Sequence, residues 1–188
     1  MNRKTLLMFT TAATSALFAA CGSAPMAAPK AMAAYSQAAL PAAVQVPAGH
    51  RVVLESVGAG DITYECRDKA NAAGQYEWVF AGPNAGLADR QGRSIGRYFG
   101  PPATWAASDG SAITGTQLAV APAGDGNIPL QLVKANPASG QGVMSGISHI
   151  QRVATRGGVA PAITCDAAGK GKREIVKYQA DYIFWKAM

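Results

Sequence analysis

Charged residues are scarce in this chain: Asp, Glu, Lys and Arg make up 15% of its 188 residues, against the usual quarter or so. Beside 49% AVILMFWYC residues, that scarcity excludes a highly charged disordered protein and points to a packed domain. Histidine and cysteine are rarer still, at two and three. A tetrahedral zinc site would need Cys66, Cys165, His50 and His149 to converge from distant segments, with none of the short ligand spacings of such sites, so no metal is expected. No Gly-x-Gly-x-x-Gly follows a strand and opens a helix, and Gly169-Lys170-Gly171 lacks the spacing of a phosphate loop. No nucleotide cofactor is therefore expected. Long amphipathic helices and fixed-period repeats are also missing. The length holds one ordinary domain plus a targeting segment.

The N-terminus has the layout of an export signal. Arg3 and Lys4 precede the apolar stretch Thr5–Ala20, which is short for a membrane span of about 20 residues. Phe18-Ala19-Ala20-Cys21 resembles a bacterial lipobox, so residues 1–20 are expected to be a signal peptide and Cys21 the lipidated first residue. Cleavage at Ala31-Met32-Ala33 is the alternative. Gly22 after the cysteine favours the outer membrane, giving a periplasmic-face or cell-surface lipoprotein. Loss of Arg3 and Lys4 with the signal lowers the net charge of +6 by two. The remaining basic residues are scattered, and Lys170-Gly171-Lys172-Arg173 reads as a solvated turn, so nucleic acid is not an expected partner. With Cys21 lipidated, Cys66 and Cys165 remain as an even pair in an oxidising compartment, and a disulfide is the preferred reading.

Residues 22–45 are rich in Ala and interrupted by Pro25, Pro29 and Pro41, which predicts an extended, partly flexible linker. From Val46 onward the dominant period is two. Ile62, Tyr64 and Cys66 alternate with polar residues, as do Tyr76, Trp78 and Phe80; Val176, Tyr178, Ala180, Tyr182 and Phe184 line one face near the end. Further strands are expected at 52–57, 94–98, 113–120 and 143–154, while 129–134 fits either a short helix or a strand. Turn signals fall at Gly58-Ala59-Gly60, Ala81-Gly82-Pro83-Asn84, Gly100-Pro101-Pro102, Asp109-Gly110, Gly124-Asp125-Gly126-Asn127 and Gly157-Gly158. Many short strands between such turns predict a single all-β domain over 46–188, an antiparallel sandwich or barrel with long Gly/Pro-rich loops.

Catalytic patterns are thin. Ser148 and His149 complete no nucleophile elbow, and on a strand they would point to opposite faces. A hydrolase would have to use carboxylates from separate loops, with Asp89, Asp109 and Asp181 as possible members. Tyr98, Phe99 and Trp105 crowd around Gly100-Pro101-Pro102, with Asp109 and Ser111 close behind. Aromatics on a rigid loop suit stacking on a sugar or peptide, with Asp109 and Ser111 fixing orientation; plugging one end of the core is the competing use. Gln151, Arg152 and Thr155 form a second polar cluster, in which Arg152 is expected to neutralise a buried carboxylate such as Asp181.

An ordered set of motifs runs along the domain: Gly60-x-Ile62-x-Tyr64-x-Cys66, Trp78, Pro83-Asn84-Ala85-Gly86-Leu87, Gly100-Pro101 with Trp105, Asp109-Gly110-Ser111, Ile150-Gln151-Arg152 to Ala160-Pro161, Cys165, and Tyr178-x-Ala180-Asp181-Tyr182. Together they resemble a domain-of-unknown-function family of secreted bacterial and fungal proteins, over about Val46 to Trp185. The resemblance implies export and paired cysteines, and brings no activity or catalytic residue. Some relatives carry a malate dehydrogenase label, whose chemistry needs a dinucleotide fold that this pattern lacks. Relatives place His just before the Gly-Pro segment, where this chain has Tyr98-Phe99, so no histidine role carries over to that loop. The expected function is non-catalytic: binding a small ligand, glycan or envelope protein through the 98–105 loop, on a domain held to the membrane by its lipid. An envelope hydrolase and a purely structural lipoprotein are the alternatives.

Overall fold

Alternating apolar and polar residues build eight strands: β1 (His50–Asp68), β2 (Tyr76–Ala88), β3 (Ser94–Phe99), β4 (Thr104–Ala107), β5 (Ala112–Ala121), β6 (Leu130–Ala135), β7 (His149–Gly157) and β8 (Arg173–Ala187). The computed structural model describes residues 34–188; the expected signal peptide, Cys21 and the alternative cleavage site lie outside the described residues. Every strand pairs antiparallel with the next, and β1 closes on β8, so the sheet is a barrel rather than a sandwich. Closure follows from the length of β1, which pairs with β8 from His50 to Glu65 and with β2 from Val57 to Asp68. No open edge remains in that ring.

Several expected turns lie inside strands. Gly58-Ala59-Gly60 is mid-β1, and Gly82-Pro83-Asn84 is mid-β2 beside a register shift between Thr63 and Tyr64. Gly58 is needed for space: a Cβ there would lie 2.6 Å from the Tyr182 ring. Residues 130–135 form a strand, settling the helix-or-strand choice, and β7 begins at His149 rather than 143.

Register fixes the two faces. Tyr182 pairs with Ser56 on β1 and with Arg152 on β7, so all three point inward. The interior is filled by Ile62, Tyr64, Leu87, Tyr98, Trp105, Ile113, Ile150, Tyr182 and Phe184, as expected of an eight-stranded barrel. One end is plugged by Met144 and Ile147 from the 136–148 loop. Cys66 at the end of β1 is bonded to Cys165 in the β7–β8 loop, with Cα atoms 5.5 Å apart, which takes both sulfurs out of any metal set.

The packed body begins before Val46: within the stretch expected to be an extended, partly flexible linker, residues 35–45 belong to the packed unit, and 22–33 lie outside the described residues. Tyr35–Met188 form one compact unit. Leu40, Val44 and Val46 lie against Ala121, Leu132, Val153, Ile183 and Trp185 on the outer wall of β5 to β8. The strap formed by residues 35–46 includes a short 3-10 turn, Ala42–Val44. Its polar anchor is the buried Gln151, whose Nε2 donates to Val44 O (2.7 Å) and Gln37 Oε1 (3.0 Å) and whose Oε1 accepts from Trp185 Nε1 (2.9 Å) and Tyr35 Oη (3.2 Å).

Candidate functional site

The five residues expected to form a binding loop occupy three separate places. Tyr98 and Trp105, 4% and 1% exposed, are stacked inside the barrel with centroids 4.7 Å apart, and Tyr182 lies 4.9 and 5.7 Å from them. Burial pushes the Tyr98 hydroxyl above its ordinary value. Phe99 faces outward, 40% exposed. Asp109 and Ser111 lie at the opposite end of the barrel, in the β4–β5 turn. There Asp109 accepts from Ser111 Oγ (2.6 Å) and from the amides of Ser111 and Val143, while Ser111 Oγ accepts from Met144 N. The Ser111 hydroxyl, with the Val143 amide, holds Asp109 below the ordinary carboxylate range. These two residues pin the 136–148 plug.

The catalytic alternatives are dispersed in the same way. Asp89 caps its own turn and pairs with Arg93, and Asp181 is bound by Arg90 at 2.6 Å together with Glu55 at 3.0 Å. Arg90, not Arg152, neutralises Asp181, because Asp181 points outward while Arg152 points inward and donates to Pro129 O. Ser148 precedes β7, so strand alternation does not separate it from His149: Ser148 Oγ lies 3.2 Å from His149 Nδ1. That hydroxyl also donates to Trp185 O, and the His149 ring packs edge-on to His50 at 4.8 Å; among the described residues no carboxylate is hydrogen-bonded to it. Among the described residues no group of three or more His, Cys, Asp or Glu is placed to hold a metal.

One outward groove gathers polar groups that the sequence leaves far apart. Its floor forms where β2 meets the β3–β4 turn: Gly82, at φ +154°, approaches so closely that a Cβ would lie 2.3 Å from Gly100 O. Pro83 and Pro101 stiffen the two sides, and Thr63, Asn84, Arg67 and Arg173 complete the walls around a volume of about 460 Å³, within the roughly 300–1,000 Å³ of small-molecule sites. Phe99 pairs in register with Asn84, so it stands on the same outer face, with the Arg97 guanidinium 6.0 Å from its ring. Arg97 also donates to Asn84 Oδ1 at 3.1 Å. Glu65 joins the two wall arginines: Arg67 Nε donates to Oε1 at 3.0 Å, and Arg173 Nε donates to Oε2 at 2.9 Å, with Nη2 at ion-pair distance from the same oxygen. Hydrogen bonds from Arg67 and then Arg173 hold the Glu65 carboxyl below its ordinary value.

Residues 47–186, which hold all of the barrel but the last residue of β8, match a protein family described as "Protein of unknown function (DUF3455)". The chain belongs to that family. No curated protein and no solved structure matches it. All the groove residues fall inside the DUF3455 span, and the motif pieces Pro83-Asn84 and Gly100-Pro101 meet there. Of the expected site residues only Phe99 borders this groove. Arg67, Arg173 and Asn84 have a weak signal at best, since Glu65 and Arg67 share a strand face but nothing in the spacing ties them to Arg173.

Proposed function

We propose that this DUF3455 barrel is a non-catalytic binding domain of the cell envelope, held to a membrane by lipid on Cys21, and that it takes a small ligand or glycan in the groove between Pro83 and Pro101. The groove itself carries the reading: it is of ligand size, stiffened by Pro83 and Pro101, and lined by the polar side chains of Thr63, Asn84, Arg67 and Arg173. The carboxylates that a hydrolase would use are each committed to a turn or an arginine, which favours binding over hydrolysis.

The test is calorimetric titration of the purified protein with a panel of neutral and acidic saccharides released from bacterial envelopes. At least one should bind, and Phe99→Ala should weaken it without changing the melting temperature. A panel with no binder, or binding indifferent to Phe99→Ala, contradicts the groove. For the anchor, Cys21→Ser should move the protein from the membrane to the soluble fraction, and unchanged retention contradicts it.

A further inference from the structure

The charge of the groove narrows the ligand. Among the described residues, Arg67 and Arg173 are the charged residues that line it, and no acid does. Glu65 bridges the pair and accepts one N–H from each, so it occupies a minority of the five donors of each guanidinium. A third guanidinium, Arg97, reaches the groove wall by donating to the neutral amide of Asn84. The neighbouring acids do not cancel this excess. Asp61 is paired with Lys177 at 2.5 Å, and Glu77, in register with Arg67, is one more carboxylate against three arginines. Guanidinium forks match the oxygens of carboxylates and phosphates.

Resting on the binding reading above, we propose that the groove selects sugar-sized ligands carrying an oxyanion, either a carboxylate or a phosphate. The oxyanion would bridge Arg67 and Arg173, while Asn84, Thr63 and the Phe99 ring take the neutral body. Glu65, by accepting from both guanidiniums, holds them near each other before the ligand arrives.

The experiment titrates the full protein with glucuronate, glucose 6-phosphate and glucose. Both acids should bind at least about tenfold more tightly than glucose, the equivalent of one charge-assisted hydrogen bond. Added salt should erode that preference, a readout that needs no variant. Arg67→Gln and Arg173→Gln should each weaken the acids about tenfold and narrow their advantage over glucose. Lys134→Gln, which removes the same charge from the far wall, should leave all three unchanged. Glucose binding as tightly as the acids, or Lys134→Gln acting like the arginine variants, overturns the selectivity while the binding reading stands. If none of the three probes binds, the selectivity is overturned; the reading beneath it falls only if the envelope saccharide panel also fails. The ratio of glucuronate to glucose 6-phosphate affinity tells whether carboxylate or phosphate is the better fit.

Discussion

Ser56 and Gly58 lie two positions apart on the inward face of β1, and both meet Tyr182. Ser56 Oγ is buried with no hydrogen-bond partner among the described residues, so its hydroxyl costs desolvation without return. Gly58, in contrast, has no room for a methyl group against a fully buried ring that cannot swing away. Gly58→Ala should lower unfolding stability by about 1–3 kcal/mol, whereas Ser56→Ala should leave it unchanged or raised; urea midpoints check both. His149 shows the effect of burial on titration. Burial, then Lys134 and His50, keep its imidazole below the ordinary 6.5. The unfolded chain therefore takes up a proton near pH 6.5 that the folded chain refuses, and the contribution present above that pH is lost as pH falls toward the folded value. The urea midpoint should be lower at about pH 5.5 than at about pH 7.5, and His149→Gln should shrink the difference. An unchanged pH dependence in that variant contradicts the assignment.

The strands were largely legible because one-sided burial in a sheet leaves a period of two, as in Ile62-x-Tyr64-x-Cys66 and Tyr178 to Phe184. What misled was Gly and Pro inside strands. Gly58 and Gly82 serve close packing against a ring and a neighbouring carbonyl, contacts that only tertiary structure creates. The strap was hidden for a related reason: an Ala/Pro-rich segment looks unattached until Gln151, far along the chain, supplies the anchor. The groove was equally hidden, because Glu65 and Arg173 meet only through strand pairing. Gln151 makes a prediction at this level. Gln151→Leu would orphan Trp185 Nε1 and Val44 O, costing about 1–3 kcal/mol for each buried group. Proteolysis should then cut within 35–46 while the barrel resists; a strap as protected as in the unaltered protein contradicts its dependence on Gln151.

Strap and groove occupy separate parts of the outer surface. The strap packs on β5 to β8 and reaches β8 near its end, at Ile183 and Trp185, whereas the groove is formed by β1, β2, the β3–β4 turn and Arg173 at the start of β8. In the proposed anchored form, the chain enters along the strap and leaves the groove open to meet ligands. The aromatic-filled interior has a different task, holding the wall rigid so that Gly82 and Gly100 stay in contact. Interior and outer wall can therefore be told apart by one measurement: amide and indole NMR shifts of the isotope-labelled protein titrated with glucuronate. The amides of Thr63, Gly82, Asn84 and Gly100 should move saturably while the Trp105 indole stays still. A moving Trp105 indole with silent groove amides would contradict the placement of the site on the outer wall.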